Sequence, residues 1–161
     1  MKNFLFLVFV FLSSFLSAQT DTVSVSGEIT LTINYSRTLQ EMIDAGNYDW
    51  VDNYFTEKGS LLLDSIGSSE ASVSVKIFKL KGFIFSEDAV AEMLKDGFRP
   101  ATLAELLALG EAYPEIQKEN PIIALYSVYF VPVLFSDNDR SLGITGHGLW
   151  GSGYRFLGVR K

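Results

Sequence analysis

The chain has 161 residues, of which 48% are hydrophobic, a size that fits one ordinary domain or two small ones. Its 13 basic and 19 acidic residues give a net charge of −6 without any basic stripe, which argues against nucleic acid as a partner. The absence of cysteine excludes disulfides, thiol catalysis, thiolate metal sites and an acylated lipoprotein.

The first 18 residues have the pattern of a cleaved secretory signal peptide. Lys2 supplies a short basic start, residues 4–12 are all apolar, and small residues lead to Ala18. The apolar run is shorter than the roughly 20 residues that a membrane-spanning helix needs. We therefore expect an exported protein (periplasmic, at the cell surface or secreted) without a membrane span after cleavage. The alternative is an uncleaved N-terminal anchor.

A strand–helix–strand region is predicted for residues 19–84. Alternating apolar and polar residues predict a strand over 22–35, or a hairpin that breaks near Ser26 and Gly27. The same alternation over 71–81 predicts the second strand of this region.

A short helix is predicted between these strands, over 38–45. Thr38 and Glu41 fit a capping box at its start. Gly46 suits the position just after the last helical residue. Residues 47–70 have no clear period and are predicted to be irregular.

The second region, residues 85–161, should contain two further helices. Ser86 can serve as the N-cap of the first, which Gly97 would close. Thr102 and Glu105 form another capping box at the start of the second.

A nearly continuous apolar segment over 122–135 predicts strands that are buried on both faces. Pro132 would either divide this segment into two strands or mark a sheet edge. Residues 136–140 are typical of a turn, and residues 154–159 predict a last strand.

The segment 143–153 is the candidate binding site. It combines many glycines with a few aromatic and polar side chains, a composition that resembles adaptable binding loops built around an aromatic platform. The alternative is a glycine-rich loop whose tryptophan simply packs on the core. The predicted contact residues are Gly143, Thr145, Gly146, His147, Gly148, Leu149, Trp150, Gly151 and Gly153.

Other residue patterns in the sequence are better explained by local structure than by a nucleotide, catalytic or metal site. Residues 146–151 match G-x-G-x-x-G, but no helix pattern follows, as dinucleotide binding would require. His147 is the only histidine, and the sequence suggests neither an orienting carboxylate nor a nucleophile for it. Asp137 and Asp139 lack the spacing of a calcium loop, so a solvated turn is the simpler interpretation. We predict no catalytic residue, no cofactor and no metal site.

Several segments resemble known bacterial proteins. Residues 97–107 are similar to the G-W-R-L-P-T-x-x-E-L stretch of bacterial C-type-lectin-like domains, and residues 154–160 resemble their closing strand. Residues 35–51, 97–108 and 154–161 also resemble, in the same order, three stretches of small uncharacterised bacterial proteins with this layout. The resemblance implies a C-type-lectin-like fold for the second region.

The C-terminal segment also resembles the target proteins of diversity-generating retroelements. In those proteins, directed mutagenesis varies a C-type-lectin-like ligand surface just before an invariant last strand. The resemblance implies that the small residues of 143–153 are variable ligand contacts, while Leu142, Ile144, Trp150 and Tyr154 belong to the scaffold.

Together these patterns predict an exported α+β protein, in which an N-terminal strand–helix–strand part supports a C-type-lectin-like C-terminal part. Its expected function is non-enzymatic ligand binding, with an unknown protein or surface ligand as partner. Two alternatives stay open. One is a hydrolase that uses Asp137, Asp139 or Glu105, and the other is a structural or envelope-assembly protein that oligomerises through 122–135.

Overall fold

The computed structural model describes residues 27–62 and 69–161, so the predicted signal peptide and the start of the predicted strand 22–35 lie outside it. The described strands are β1 (Glu28–Asn34), β2 (Trp50–Val51), β3 (Glu70–Phe78), β4 (Ile84–Phe85), β5 (Phe98–Pro100), β6 (Ile122–Ile123), β7 (Val131–Asp137), β8 (Asp139–Thr145), β9 (Leu149–Trp150) and β10 (Arg155–Arg160). The described helices are α1 (Leu39–Gly46), α2 (Asn53–Leu62), α3 (Ser86–Lys95) and α4 (Leu103–Ala112).

Eight of these strands form one mixed sheet in the order β1-β3-β10-β6-β7-β8-β2, with β5 also paired to β10. Most neighbours are antiparallel, whereas β6 runs parallel to β10 and β2 runs parallel to β8. A mixed sheet combined with helices confirms the predicted α+β class. Strands from both sides of residue 84 share this sheet, because β3 pairs directly with β10. The division into regions 19–84 and 85–161 stays a prediction.

The sheet buries a hydrophobic cluster on each face. Successive strand residues point to opposite faces, and accordingly Leu157 belongs to one cluster and Phe156 to the other. The Leu157 cluster includes Met42 of α1 and Leu106 of α4. The Phe156 cluster includes Met93 of α3. Helices therefore cover both faces, which gives three layers.

Both predicted capping boxes are present. In α1 the Thr38 hydroxyl accepts a hydrogen bond from the Glu41 N–H at 3.3 Å, and the Glu41 carboxylate accepts from the Thr38 N–H at 2.7 Å. Thr102 and Glu105 make the same reciprocal pair at the start of α4. Each box satisfies backbone N–H groups that have no partner within the helix.

The chain between α1 and β3 is more regular than predicted. Gly46 is the last residue of α1, and Asn47 rather than Gly46 takes the left-handed conformation, with φ of 47°. The prediction that 47–70 is irregular was wrong, because this segment contains β2 and α2. Asp52 explains where α2 begins, since its Oδ1 accepts a hydrogen bond from the Tyr54 N–H at 2.9 Å.

The apolar segment 122–135 forms two strands, but Pro132 does not divide them. The break falls at 124–130, between β6 and β7, and Pro132 lies inside β7. Its carbonyl accepts a hydrogen bond from the Ala124 N–H at 3.2 Å. In an antiparallel ladder the nitrogen of a residue faces the same neighbour as its carbonyl. The missing N–H of Pro132 therefore lies just past the short β6 and costs no hydrogen bond to β8.

Candidate functional site

A two-stranded ribbon stands apart from the large sheet. Its strands β4 and β9 are antiparallel, with Ile84 opposite Trp150 and Phe85 opposite Leu149. Because strand side chains alternate, one pair faces the protein and the other faces solvent. Trp150 is only 4% exposed, whereas Phe85 is 55% and Leu149 is 54% exposed. The ribbon thus presents an apolar cross-strand pair to solvent.

Ser86 fastens this ribbon to α3. Its hydroxyl accepts hydrogen bonds from Trp150 Nε1 at 2.8 Å and from the Gly148 N–H at 3.2 Å. Its own N–H donates to the Gly148 carbonyl at 3.1 Å. The predicted role of Ser86 as an N-cap was wrong, because Phe85 occupies that position and the buried Ser86 is the first residue of α3. The hydroxyl therefore accepts hydrogen bonds from ribbon residues instead of from the helix N–H groups.

Trp150 holds the glycine-rich segment to the core. Its ring lies edge-on to Tyr154, with centroids 5.1 Å apart, and to Phe156, with centroids 6.1 Å apart. Edge-on aromatic pairs are a favoured geometry in protein interiors. Trp150 therefore anchors the segment, and its side chain is not part of the exposed surface.

Phe83 extends the exposed apolar area. It is 79% exposed and follows Gly82, whose φ of 71° is a conformation that glycine adopts without steric cost. A Cβ placed on Gly151 would lie 3.7 Å from Phe83 Cε1, so the ring sits beside the glycine-rich segment. We call Phe83, Phe85 and Leu149 the ribbon surface. Large exposed apolar side chains that lie together commonly mark an interaction site.

A second exposed group lies on the loop 124–130. Val128 and Tyr129 both project into solvent there. The Nε2 atom of His147 makes a hydrogen bond with the Ser127 carbonyl, which ties this loop to the glycine-rich segment. The single histidine thus joins two surface loops.

The structure brings seven of the nine predicted contact residues to the surface. Five of them are exposed, namely Gly146, His147, Gly148, Leu149 and Gly153, and two are partly buried, namely Thr145 and Gly151. The other two, Gly143 and Trp150, are buried. Gly143 lies in β8, where an added Cβ would be 2.9 Å from Phe135 Cε1 and 3.5 Å from Trp50 Cζ3. A side chain at that position would have to displace packed aromatic rings.

Sequence reasoning missed four of the exposed apolar side chains. Phe83 and Phe85 lie on or beside a strand of two residues, which is too short to reveal a period. Val128 and Tyr129 lie in the segment 122–135, which the sequence predicts to be buried on both faces. The signal that could have located the ribbon is Gly82, which precedes the alternating pair Phe83 and Phe85.

Glu105 is buried, and both of its carboxylate oxygens accept hydrogen bonds. Its carboxylate accepts hydrogen bonds from the Arg99 guanidinium at 2.9 and 2.6 Å, from the Thr102 N–H at 2.7 Å and from the Tyr35 hydroxyl at 3.0 Å. Burial opposes ionisation, but these bonds and the Arg99 charge hold the pKa of Glu105 below its usual range. Burial and the neighbouring carboxylate raise the pKa of Tyr35 to about 12. The carboxylate has no oxygen left over for a substrate.

Asp137 and Asp139 face each other at the end of the β7–β8 hairpin. Only Asn138, with φ of 74°, lies between them, so the turn is tighter than the predicted 136–140. Among residues 27–62 and 69–161, no group of three or more His, Cys, Asp or Glu side chains could hold a metal ion.

A shallow groove of about 330 Å³ runs between β1 and α4. Its rim carries Arg37 and Glu111, which form an ion pair at 2.8 Å. None of the predicted contact residues lines this groove, and neither does the ribbon surface.

Comparisons with known proteins leave the family of this chain open. No protein-family model matches it, and no curated protein or solved structure is significantly similar to it. In the part of the chain that the structure describes, no helix is long and apolar enough to cross a membrane. The C-type-lectin-like fold therefore stays a prediction.

Proposed function

We propose that this chain is an exported, non-enzymatic ligand-binding protein. In this proposal a C-type-lectin-like scaffold presents two adjoining features, the ribbon surface and the exposed part of the glycine-rich segment. The ligand covers Phe83, Phe85 and Leu149 and contacts the loop that contains His147.

One observation carries the proposal, namely the exposure of the cross-strand pair Phe85 and Leu149. Covering a large apolar side chain is worth about 1.5–3 kcal/mol relative to leaving it in water. The opposite pair, Ile84 and Trp150, already fixes the ribbon, and Ser86 fastens it to α3. Because the surface is preorganised, little of the binding energy is lost in ordering it.

The glycine-rich segment supports variable contacts of the kind found in retroelement target proteins. A Cβ added at Gly146, Gly148 or Gly153 would meet no atom within 4 Å. Substitution at these positions would change the surface without disturbing the core. Gly143 and Trp150 are buried, so the proposal assigns them to the scaffold.

The structure bears differently on the two alternative functions. The carboxylate of Glu105 is occupied by four hydrogen bonds, which leaves a hydrolase without that candidate group. Within the described sheet, β6 and β7 lie between β10 and β8. The two-residue β6 covers only Val133 and Leu134 of β7, and the loop 124–130 exposes Val128 and Tyr129, so assembly of copies through 122–135 stays an alternative.

Site-specific photocrosslinking in the source cells tests the proposal. The full chain carries p-benzoylphenylalanine in place of Leu149, and the matched control carries it in place of the exposed Thr56 on α2. We expect a discrete protein or lipid adduct from position 149 only. Equal labelling from both positions, or no adduct from either, would contradict binding through the ribbon surface.

A further inference from the structure

Charges of opposite sign lie at the two ends of β4. The exposed Lys79 and Lys81 precede this strand, and the exposed Glu87 and Asp88 follow it in the first turn of α3. None of the four forms an ion pair with any residue that the structure describes. Two of the three residues of the ribbon surface stand between the lysines and the acids in the chain. One patch therefore combines a basic end, an apolar centre and an acidic end.

We propose that the ribbon surface binds a second copy of this chain, an inference that rests on the proposed function and names the ligand. A two-fold axis crosses β4 at right angles, so that β4 of one protomer runs antiparallel to β4 of its partner. Phe83, Phe85 and Leu149 of both protomers pack together at the centre. The two lysines of each protomer lie opposite the two acids of its partner.

Charge complementarity favours a second copy as the occupant. A two-fold interface requires a patch that is complementary to itself, because the same patch is used by both protomers. An apolar centre between opposite charges has this property when the two strands are antiparallel, whereas parallel strands would place lysine against lysine. A partner with one dominant sign of charge would be repelled by one end of the patch.

The size of the patch indicates a reversible dimer. Burying an aromatic side chain removes about 150–250 Å² from water, and a standard interface buries about 800 Å² on each partner. Three apolar side chains with four flanking charges approach that area without exceeding it. We therefore expect a dissociation constant in the micromolar range rather than an obligate dimer.

Sedimentation equilibrium of the chain purified from its source cells provides the first test. Phe83→Ser with Phe85→Ser should weaken the dimer by about hundredfold or more, because two-fold symmetry removes every lost contact twice. The control Leu94→Ser removes an exposed leucine from α3 and should leave the dissociation constant unchanged. A wild-type chain that stays monomeric up to about 1 mM would overturn the proposal.

The loop 124–130 provides the competing interface. Tyr129 is exposed there and lies outside the ribbon surface, so Tyr129→Ser should leave the dimer intact. A dimer that is lost in Tyr129→Ser and kept in the phenylalanine pair would place the interface on the segment 122–135 and overturn the proposal.

Two charge-reversed variants test the antiparallel arrangement. One carries Lys79→Glu with Lys81→Glu, and the other carries Glu87→Lys with Asp88→Lys. Each alone should dimerise about tenfold more weakly than wild type, because like charges meet at both ends of the patch. An equimolar mixture should form a heterodimer, because opposite charges then meet at both ends. A mixture that associates no better than either variant alone would overturn the proposal.

Matched reversals away from the ribbon exclude an effect of net charge. Lys58→Glu with Lys161→Glu and Glu57→Lys with Glu119→Lys change the same number of charges at exposed positions. Both should dimerise like wild type, and mixing them should change nothing. An equal gain on mixing these controls would overturn the proposal, because net charge alone would then explain the association.

The photocrosslink at position 149 separates this inference from the proposed function. We expect an adduct with twice the mass of the chain. A monomeric chain that crosslinks to a different protein or to a lipid would keep the proposed function and overturn the dimer. A monomeric chain without an adduct from position 149 would contradict both.

Discussion

The indole Nε1 of Trp150 donates a hydrogen bond to the Ser86 hydroxyl, 2.8 Å away in the buried interior. Ser86 is the first residue of α3 and Trp150 ends β9, so this bond joins segments that are 64 residues apart in the chain. The same hydroxyl accepts from the Gly148 N–H at 3.2 Å. One small side chain thus fixes the strand that carries the exposed Leu149.

Ser86→Ala should destabilise the protein by about 1–3 kcal/mol, because it leaves the buried indole N–H without its acceptor. The free energy of unfolding from urea titration measures this loss. Ser72→Ala serves as the control, since Ser72 is exposed on β3 and should change stability by about 0.5 kcal/mol at most. Equal stability of the two variants would contradict a structural role for the Ser86 hydroxyl.

Glu105→Gln should cost about 2–3 kcal/mol, because Arg99 loses the anion that it binds through two hydrogen bonds. The value lies below that of a fully buried pair because the Arg99 side chain is 37% exposed to solvent. Urea denaturation provides the measurement. Glu57→Gln on the exposed surface of α2 is the control and should be nearly neutral.

The interaction between Glu105 and Arg99 should also make the stability of the protein depend on pH. The hydrogen bonds to Glu105 hold its pKa below the ordinary value of 4.5 in the folded protein. Its contribution is therefore complete above pH 4.5 and is lost as the pH falls from there through the lower folded-state pKa. The difference in unfolding free energy between wild type and Glu105→Gln should shrink over that acid range. A difference that stays constant down to strongly acidic pH would show that the charge is unimportant.

The sequence predicts best those elements whose local chemistry is self-contained. Both capping boxes, with Thr38 and Thr102 as N-caps, mark helix starts that the structure confirms. The last strand, predicted over 154–159, is confirmed as β10. These signals depend only on residues within a few positions of one another.

The missed elements depend on contacts between distant parts of the chain. α2 has no capping box, and its inward side chain Phe55 is buried only by tertiary packing. The ribbon strands have two residues each, so Phe85 and Leu149 acquire their outward direction from pairing rather than from a period. Ser86 shows the same dependence on distant contacts. A serine at a helix start predicts an N-cap, but here its hydroxyl accepts a hydrogen bond from the Trp150 indole.

Gly143→Ala should destabilise the protein by about 1–3 kcal/mol through overpacking, because the new Cβ would lie 2.9 Å from Phe135. Thermal unfolding provides the measurement. Gly146→Ala is the matched control, since a Cβ there meets no atom within 4 Å. If both variants unfold at the same temperature as wild type, then Gly143 is not constrained by packing.

Sequencing the 3′ end of this gene across its source population tests the proposed diversification. We expect substitutions to gather at the seven surface positions within 145–153, while Gly143 and Trp150 stay fixed. Weak selection on exposed residues would not give this pattern of substitutions, because exposed residues elsewhere, such as Thr56, would then vary to the same extent. An invariant loop would contradict diversification but would leave a dedicated ligand possible. Variation that also reaches Trp150 would contradict its role as the anchor of the ribbon, since no other residue can donate its hydrogen bond to Ser86 while filling the same aromatic cluster.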